Sequence, residues 1–177
     1  MRVTIGFTGA REGLTPAQRA ALNSVMAGWE GATLHHGDCV GADEEAHICA
    51  VRLGGWRIEV HPGDGPHRLR AGCGGHVHHP EKPYLDRNSD IVEAATVLLA
   101  CPAGPEVQRS GTWSTIRKAR RKGIKRVIVW PNGDVTYEYP APAAPQYRCT
   151  RPGCGRDEID ARANGCTRGP CPMEFVG

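Results

Sequence analysis

Long apolar runs are what this sequence most conspicuously lacks. No stretch approaches the roughly 18 consecutive apolar residues of a membrane-crossing helix, so none is expected and no membrane partner follows. The amino end reads Met-Arg-Val-Thr-Ile-Gly-Phe, a strand start rather than a charged segment leading into an apolar core. No secretory leader is therefore expected, and a cytoplasmic location is the default reading. Aromatic residues are scarce at 6%, which leaves the core to aliphatic side chains. Net charge is only +3, too little by itself to point to nucleic acid. Internal repeats are absent.

What is present is loop-forming chemistry on an ordinary globular background. Twenty-three Gly and 14 Pro among 177 residues predict a loop-rich chain, long enough for one α/β domain with a small appendage. Eight cysteines in a cytoplasmic chain read as reduced thiols or metal ligands rather than disulfides.

Along the chain, short apolar runs alternate with helical patterns. Strands are expected at 2–7, 33–35, 56–61, 96–100 and 126–130, with a further edge strand at 135–139. Helices are expected from Thr15 through Trp29, and at 43–53, 84–94 and 112–122. The first has a capping Thr15, Pro16 at the first helical position and Gln18 completing a capping box. Residues 62–83 read as one long Gly/Pro/His-rich loop. Alternating strands and helices imply a Rossmann-like parallel sheet with helices on both faces. That domain spans residues 1–139, followed by a stiff Pro/Ala linker at 140–146 and a cysteine-rich tail at 147–177.

In such a sheet, ligands sit outside the carboxyl ends of the strands. The loops expected there are Thr8-Gly9-Ala10-Arg11, Gly37-Asp38-Cys39-Val40-Gly41 and Ser110-Gly111-Thr112. Glycines let backbone N–H groups approach a phosphate, the following helix start supplies unpaired donors, and Arg11 adds a guanidinium. Each glycine taken alone is equally well explained as permitting its turn. Three such loops on one edge favour a phosphate cradle.

The same loops carry a resemblance. Gly6-Phe7-Thr8-Gly9-Ala10-Arg11 with Leu14-Thr15, and His36-Gly37-Asp38-Cys39-Val40-Gly41-Ala42-Asp43, resemble the YspA-like branch of the SLOG superfamily. So do Tyr84-Leu85-Asp86-Arg87-Asn88 and the run from Ser110 to Arg117, in order over residues 1–135. That superfamily also includes the DNA-processing protein A and LOG phosphoribohydrolase families. The resemblance implies a Rossmann-like domain binding a nucleotide or nucleotide-derived molecule, as sensor or hydrolase. It also implies that Arg87 and Asn88 face the ligand, where a solvent-exposed surface pair is the alternative, and that a homo-oligomer is to be expected; Arg117, near the start of the helix at 112–122, is a further ligand-facing candidate from its position.

One departure bears on catalysis. Thr115 stands where the phosphoribohydrolase pattern Gly-Gly-x-Gly-Thr-x-x-Glu has its carboxylate. A hydroxyl is no general base near neutral pH without an activating neighbour, so Asp38 or Asp43 would have to serve. Asp43 reads equally well as a helix cap. Binding of the ligand is thus the leading reading, a nucleotide hydrolase the second, and a nucleic-acid-binding protein the third.

Two further clusters invite chemistry. The basic run from Arg117 to Arg126 reads as the solvated, positively charged end of a helix in preference to a nucleic-acid contact. His76, His78 and His79 lie near Cys73, but neighbouring side chains in a loop seldom converge on a metal. The tail is better spaced: Cys149-x4-Cys154-x11-Cys166-x4-Cys171 pairs four thiols as in a zinc-ribbon-like site. A segment with so few apolar residues needs such a Zn²⁺ staple to fold; two disulfides or a disordered end are the alternatives.

Overall fold

The computed structural model describes residues 3–140, together with two short strands at Tyr147–Cys149 and Met173–Phe175. The chain divides into two compact units, Met1–Pro140 and Ala141–Gly177. The first contains β1 (Thr4–Gly9), α1 (Pro16–Ala27), β2 (Thr33–His36), α2 (Ala42–Leu53), β3 (Arg57–Val60) and β4 (Val77–His78). It continues with α3 (Tyr84–Ala94), β5 (Val97–Cys101), α4 (Gly111–Lys122), β6 (Lys125–Val129) and β7 (Val135–Glu138).

These strands form one sheet in the order β4-β3-β2-β1-β5-β6-β7, parallel throughout except for β7. Side-chain alternation sends successive residues to opposite faces. Ile5, Phe7, Leu34, Ile58, Val60 and Leu99 join Leu22 and Met26 of α1 and Ala46 and Ala50 of α2 in one core. Leu98, Ala100 and Ile128 turn the other way, against Val92 of α3 and Trp113 and Ile116 of α4. Each fully buried Leu or Ile contributes roughly 1.5–3 kcal/mol relative to exposure. A covered sheet therefore needs few aromatics, and the fold is the expected Rossmann-like α/β class.

Local signals place α1 where the sequence put it, with one change of partner. Thr15 Oγ1 accepts a hydrogen bond from Gln18 N at 3.0 Å, and Pro16 opens the helix. The Gln18 side chain does not complete a capping box. It is buried and donates to Pro102 O at 3.1 Å and Val129 O at 2.8 Å. Two buried carbonyls at the strand ends need a donor more than a solvent-facing amide does.

The long segment after β3 is not a structureless loop. It holds a helical turn at His67–Leu69 and the two-residue strand β4, which pairs in parallel with β3. No residue from Asp64 to Pro83 is buried, so no apolar pattern marks this strand.

In the second unit, β8 (Tyr147–Cys149) pairs antiparallel with β9 (Met173–Phe175). The expected zinc ligands Cys154, Cys166 and Cys171 lie outside the described residues, as does the side chain of Cys149.

Candidate functional site at the strand-order reversal

The strand order creates the site. From β1 the chain steps outward through β2, β3 and β4, then returns to place β5 on the other side of β1. Loops leaving β1 and β5 therefore diverge to opposite sides and open a crevice, the place where open α/β sheets bind ligands. A cavity of about 430 Å³ lies there, bounded by the loop after β1, the loop before α4, and the first turn of α3.

Most of the expected ligand-facing residues meet on it. Thr8, Gly9, Arg11, Asp43, Arg87, Asn88, Ser110, Gly111 and Thr112 all line this cavity. The start of α4 is built for it. Ser110 caps the helix by accepting from Trp113 N at 3.3 Å, and Thr112 Oγ1 donates to Gly9 O at 2.8 Å, tying the two loops together. A Cβ added at Gly111 would meet nothing within 4 Å, so space stands open beside the first residue of the helix. Sequence reasoning missed Glu12, Cys39, Tyr84 and Arg109, which also line the cavity. A signal for Arg109 existed in its place just before the Ser-Gly-Thr helix start. Its left-handed φ of 60° did not show in the sequence.

Three guanidinium groups, from Arg11, Arg87 and Arg109, stand against two carboxylates, from Glu12 and Asp43. Arg11 and Arg87 both pack on the Tyr84 ring, at 5.0 and 5.6 Å from its centroid. Arg87 is buried, with one nitrogen 3.2 Å from Cys39 Sγ and another 4.0 Å from Asp43 Oδ2. Its Nε has no partner among the described residues.

Gly37, Asp38 and Gly41 shape the cavity without lining it. A Cβ at Gly37 would fall 1.4 Å from the Arg87 guanidinium, so only glycine admits that side chain. Gly41 has φ +88° and would place a Cβ 2.2 Å from Arg11 O. Asp38 turns away: Oδ1 accepts from Cys73 N at 2.7 Å and Oδ2 pairs with Arg70 Nε at 3.3 Å. Its carboxylate therefore anchors the segment after β3, and leaving the Cys73 N–H unpaired would cost on the order of 1–3 kcal/mol. Asp43 Oδ2 accepts from Gly37 N at 3.0 Å and Cys39 N at 3.3 Å. Burial pushes the Asp43 carboxyl above its ordinary range, while Arg87 and those two amides pull it back. It is not a helix cap, because α2 opens at Gly41 with no side-chain capping bond.

Two other expectations change. Arg117 does not line the cavity but pairs with Glu106 at 3.0 Å. Thr115 is buried and donates back to Gly111 O at 2.9 Å, so neither a carboxylate nor an activated hydroxyl replaces the phosphoribohydrolase Glu there. Most of the basic run is engaged within the domain. Arg120 bridges Glu106 and Glu138, Lys122 donates to Val92 O at the end of α3, and Lys118 donates to Leu85 O.

The loop histidines do not converge on one another. His76 Nδ1 accepts from Ile58 N at 3.1 Å. His79 instead joins His35 and His61, while Cys73 lies with His36 and His47. Both are potential metal-ligand sets.

No protein-family model and no curated protein matches this chain. Solved structures do. The molybdenum cofactor binding protein from the phototrophic bacterium Rippkaea orientalis superposes with a TM-score of 0.58 at 21% identity, over 73% of this chain and 77% of that one. The structural-genomics target TM1055 gives 0.51 at 17%, over 71% and 72%. DNA processing protein A from Streptococcus pneumoniae gives 0.55 at 20%, over 72% of this chain but only 50% of that protein. Together these likenesses show that the described sheet and helices form a Rossmann-like α/β fold.

Proposed function

We propose that the cavity at the strand-order reversal binds a phosphate-bearing nucleotide or nucleotide-derived molecule, and that binding rather than bond cleavage is its role. The observation that carries this reading is the convergence of Arg11, Arg87, Arg109 and the uncovered start of α4 on one cavity. An N-terminal helix end and guanidinium groups are complementary to phosphate in both charge and geometry. Arg87 adds a specific reason: a buried guanidinium with an unpartnered Nε is stabilised by an incoming anion. The ring of Tyr84 and the side chain of Asn88 leave an apolar surface and a polar group for the rest of the molecule. A small-molecule partner is favoured over nucleic acid because most cations of α4 (Arg117, Lys118, Arg120 and Lys122) are already engaged by Glu106, Glu138 and backbone carbonyls.

Cleavage of a glycosidic bond requires a positioned carboxylate to activate water and stabilise the developing sugar cation. Of the groups the sequence singles out for that role, Asp43 is held by two amides, Asp38 faces Arg70 and Cys73, and Thr115 is turned into its own helix. Titration of the purified chain with nucleoside monophosphates, NAD and ADP-ribose should detect binding of at least one, with no release of free base by chromatography. Turnover that disappears in Asp43→Asn would replace the binding role with an enzymatic one.

A further inference from the structure

Three parallel strands carry polar residues to one place on the sheet. In β2 the core-facing residues are Leu34 and His36, so His35 points to the other face. In β3, Ile58 and Val60 enter the core, which turns Glu59 and, just beyond the strand, His61 to the face of His35. The register pairs His35 with Glu59 across β2 and β3, and Val60 with His78 across β3 and β4, leaving His79 beside His61.

The resulting cluster is compact. His35 Nδ1 lies 2.8 Å from His61 Nε2 and 3.8 Å from Glu59 Oε2, while His79 Nε2 lies 3.0 Å from the same Glu59 oxygen. The His61 and His79 rings stack at 3.9 Å. Ligand atoms around a tetrahedral zinc, with bonds of about 2.0–2.1 Å, stand roughly 3.3 Å apart, within the spread of these spacings.

We propose that His35, His61 and His79, with the Glu59 carboxylate as fourth ligand, form a zinc site that clasps the edge strand β4 and the segment around it to the sheet. Three imidazoles and one carboxylate are a borderline donor set of the kind zinc takes. His79, 35% exposed, leaves a route for the ion from solvent. The segment gains what it otherwise lacks, since none of its residues from Asp64 to Pro83 is buried.

The neighbouring set of His36, His47 and Cys73 fails the same chemistry. His36 Nδ1 accepts from Asp38 N at 3.2 Å, which puts the ring proton on Nε2, the nitrogen facing His47 at 3.2 Å. Neutral His36 cannot then offer that nitrogen to a metal.

The test uses the full chain, stripped with a chelator and titrated with Zn²⁺ alone by calorimetry, with Co²⁺ as a spectroscopic probe. Because the four tail cysteines are a separate candidate site, the titration is repeated with Cys149, Cys154, Cys166 and Cys171 all changed to Ser. One equivalent should remain in that variant, with a cobalt spectrum lacking thiolate charge-transfer bands. His79→Ala, at a partly exposed position, and Glu59→Gln should each weaken that equivalent; for His79→Ala the loss should exceed about 100-fold. His78→Ala, on the neighbouring exposed residue, should not. In the wild-type chain, zinc should slow hydrogen exchange at His76 N and His79 N, which bond to Ile58 O and Val60 O. The proposal is overturned if His79→Ala binds as many equivalents as wild type, if no zinc remains once the tail cysteines are changed, or if His47→Ala rather than His79→Ala removes the ion.

Discussion

Replacing Gly111 with Val is expected to abolish ligand binding while leaving the domain as stable as before. The position is the first residue of α4, and a Cβ built there touches nothing within 4 Å. Its φ is not among the positive values, so a side chain introduces no backbone strain. Gly is a poor helix former, and Val in its place changes helix stability by less than about 1 kcal/mol. The space that Gly111 leaves open is the cavity itself, beside the Ser110 cap and the Thr112 hydroxyl. Three added carbons there exclude an anion from the helix end, and a loss of two decades in affinity corresponds to about 2.8 kcal/mol. Calorimetric titration and a melting curve on the same sample read both quantities. Retained affinity would mean that phosphate sits elsewhere.

Gly41→Val should do the opposite, lowering stability severely. Here φ is +88°, and the new Cβ would lie 2.2 Å from Arg11 O and 2.6 Å from its carbonyl carbon. Both contacts are to backbone, so neither can be relieved by turning a side chain. Left-handed strain costs an L-residue roughly 1–2 kcal/mol, and overpacking adds about 1–3 kcal/mol. The sum is a large part of the about 5–15 kcal/mol that holds a domain together. A fall in melting temperature of roughly 10 °C is expected, with the loop at Ala10 and Arg11 displaced, because Ala42 N also bonds Ala10 O at 3.0 Å. A variant that melts with the wild type would show that this junction yields more easily than its geometry implies. The two glycines thus separate the cavity's ligand surface from its framework.

Local chemistry made most of the elements legible. The Thr-Pro start of α1 is a short-range signal that the fold obeys, and α3 spans the same residues, 84–94, in sequence and structure. The cavity was legible for a related reason: loops that follow strands and carry Gly before a helix fall at one edge whatever the strand order. What depends on strand order was hidden. His35, Glu59, His61 and His79 belong to one cluster only because β2, β3 and β4 are parallel neighbours in that register. From sequence Asp38 reads as a cavity residue, because the return of Arg70 and Cys73 to it is a contact across more than thirty positions. Arg117 was misplaced for a similar reason, since Glu106 lies in a loop whose path the sequence leaves open.

Native mass spectrometry of the full chain purified from cells, then mixed with nucleoside monophosphates, NAD and ADP-ribose, tests the central claim most directly. The proposed binding role predicts a non-covalent adduct with the mass of a phosphorylated nucleotide derivative, lost on denaturation and absent from Gly111→Val. A wild-type chain that carries no such adduct, either as purified or after mixing, would contradict it.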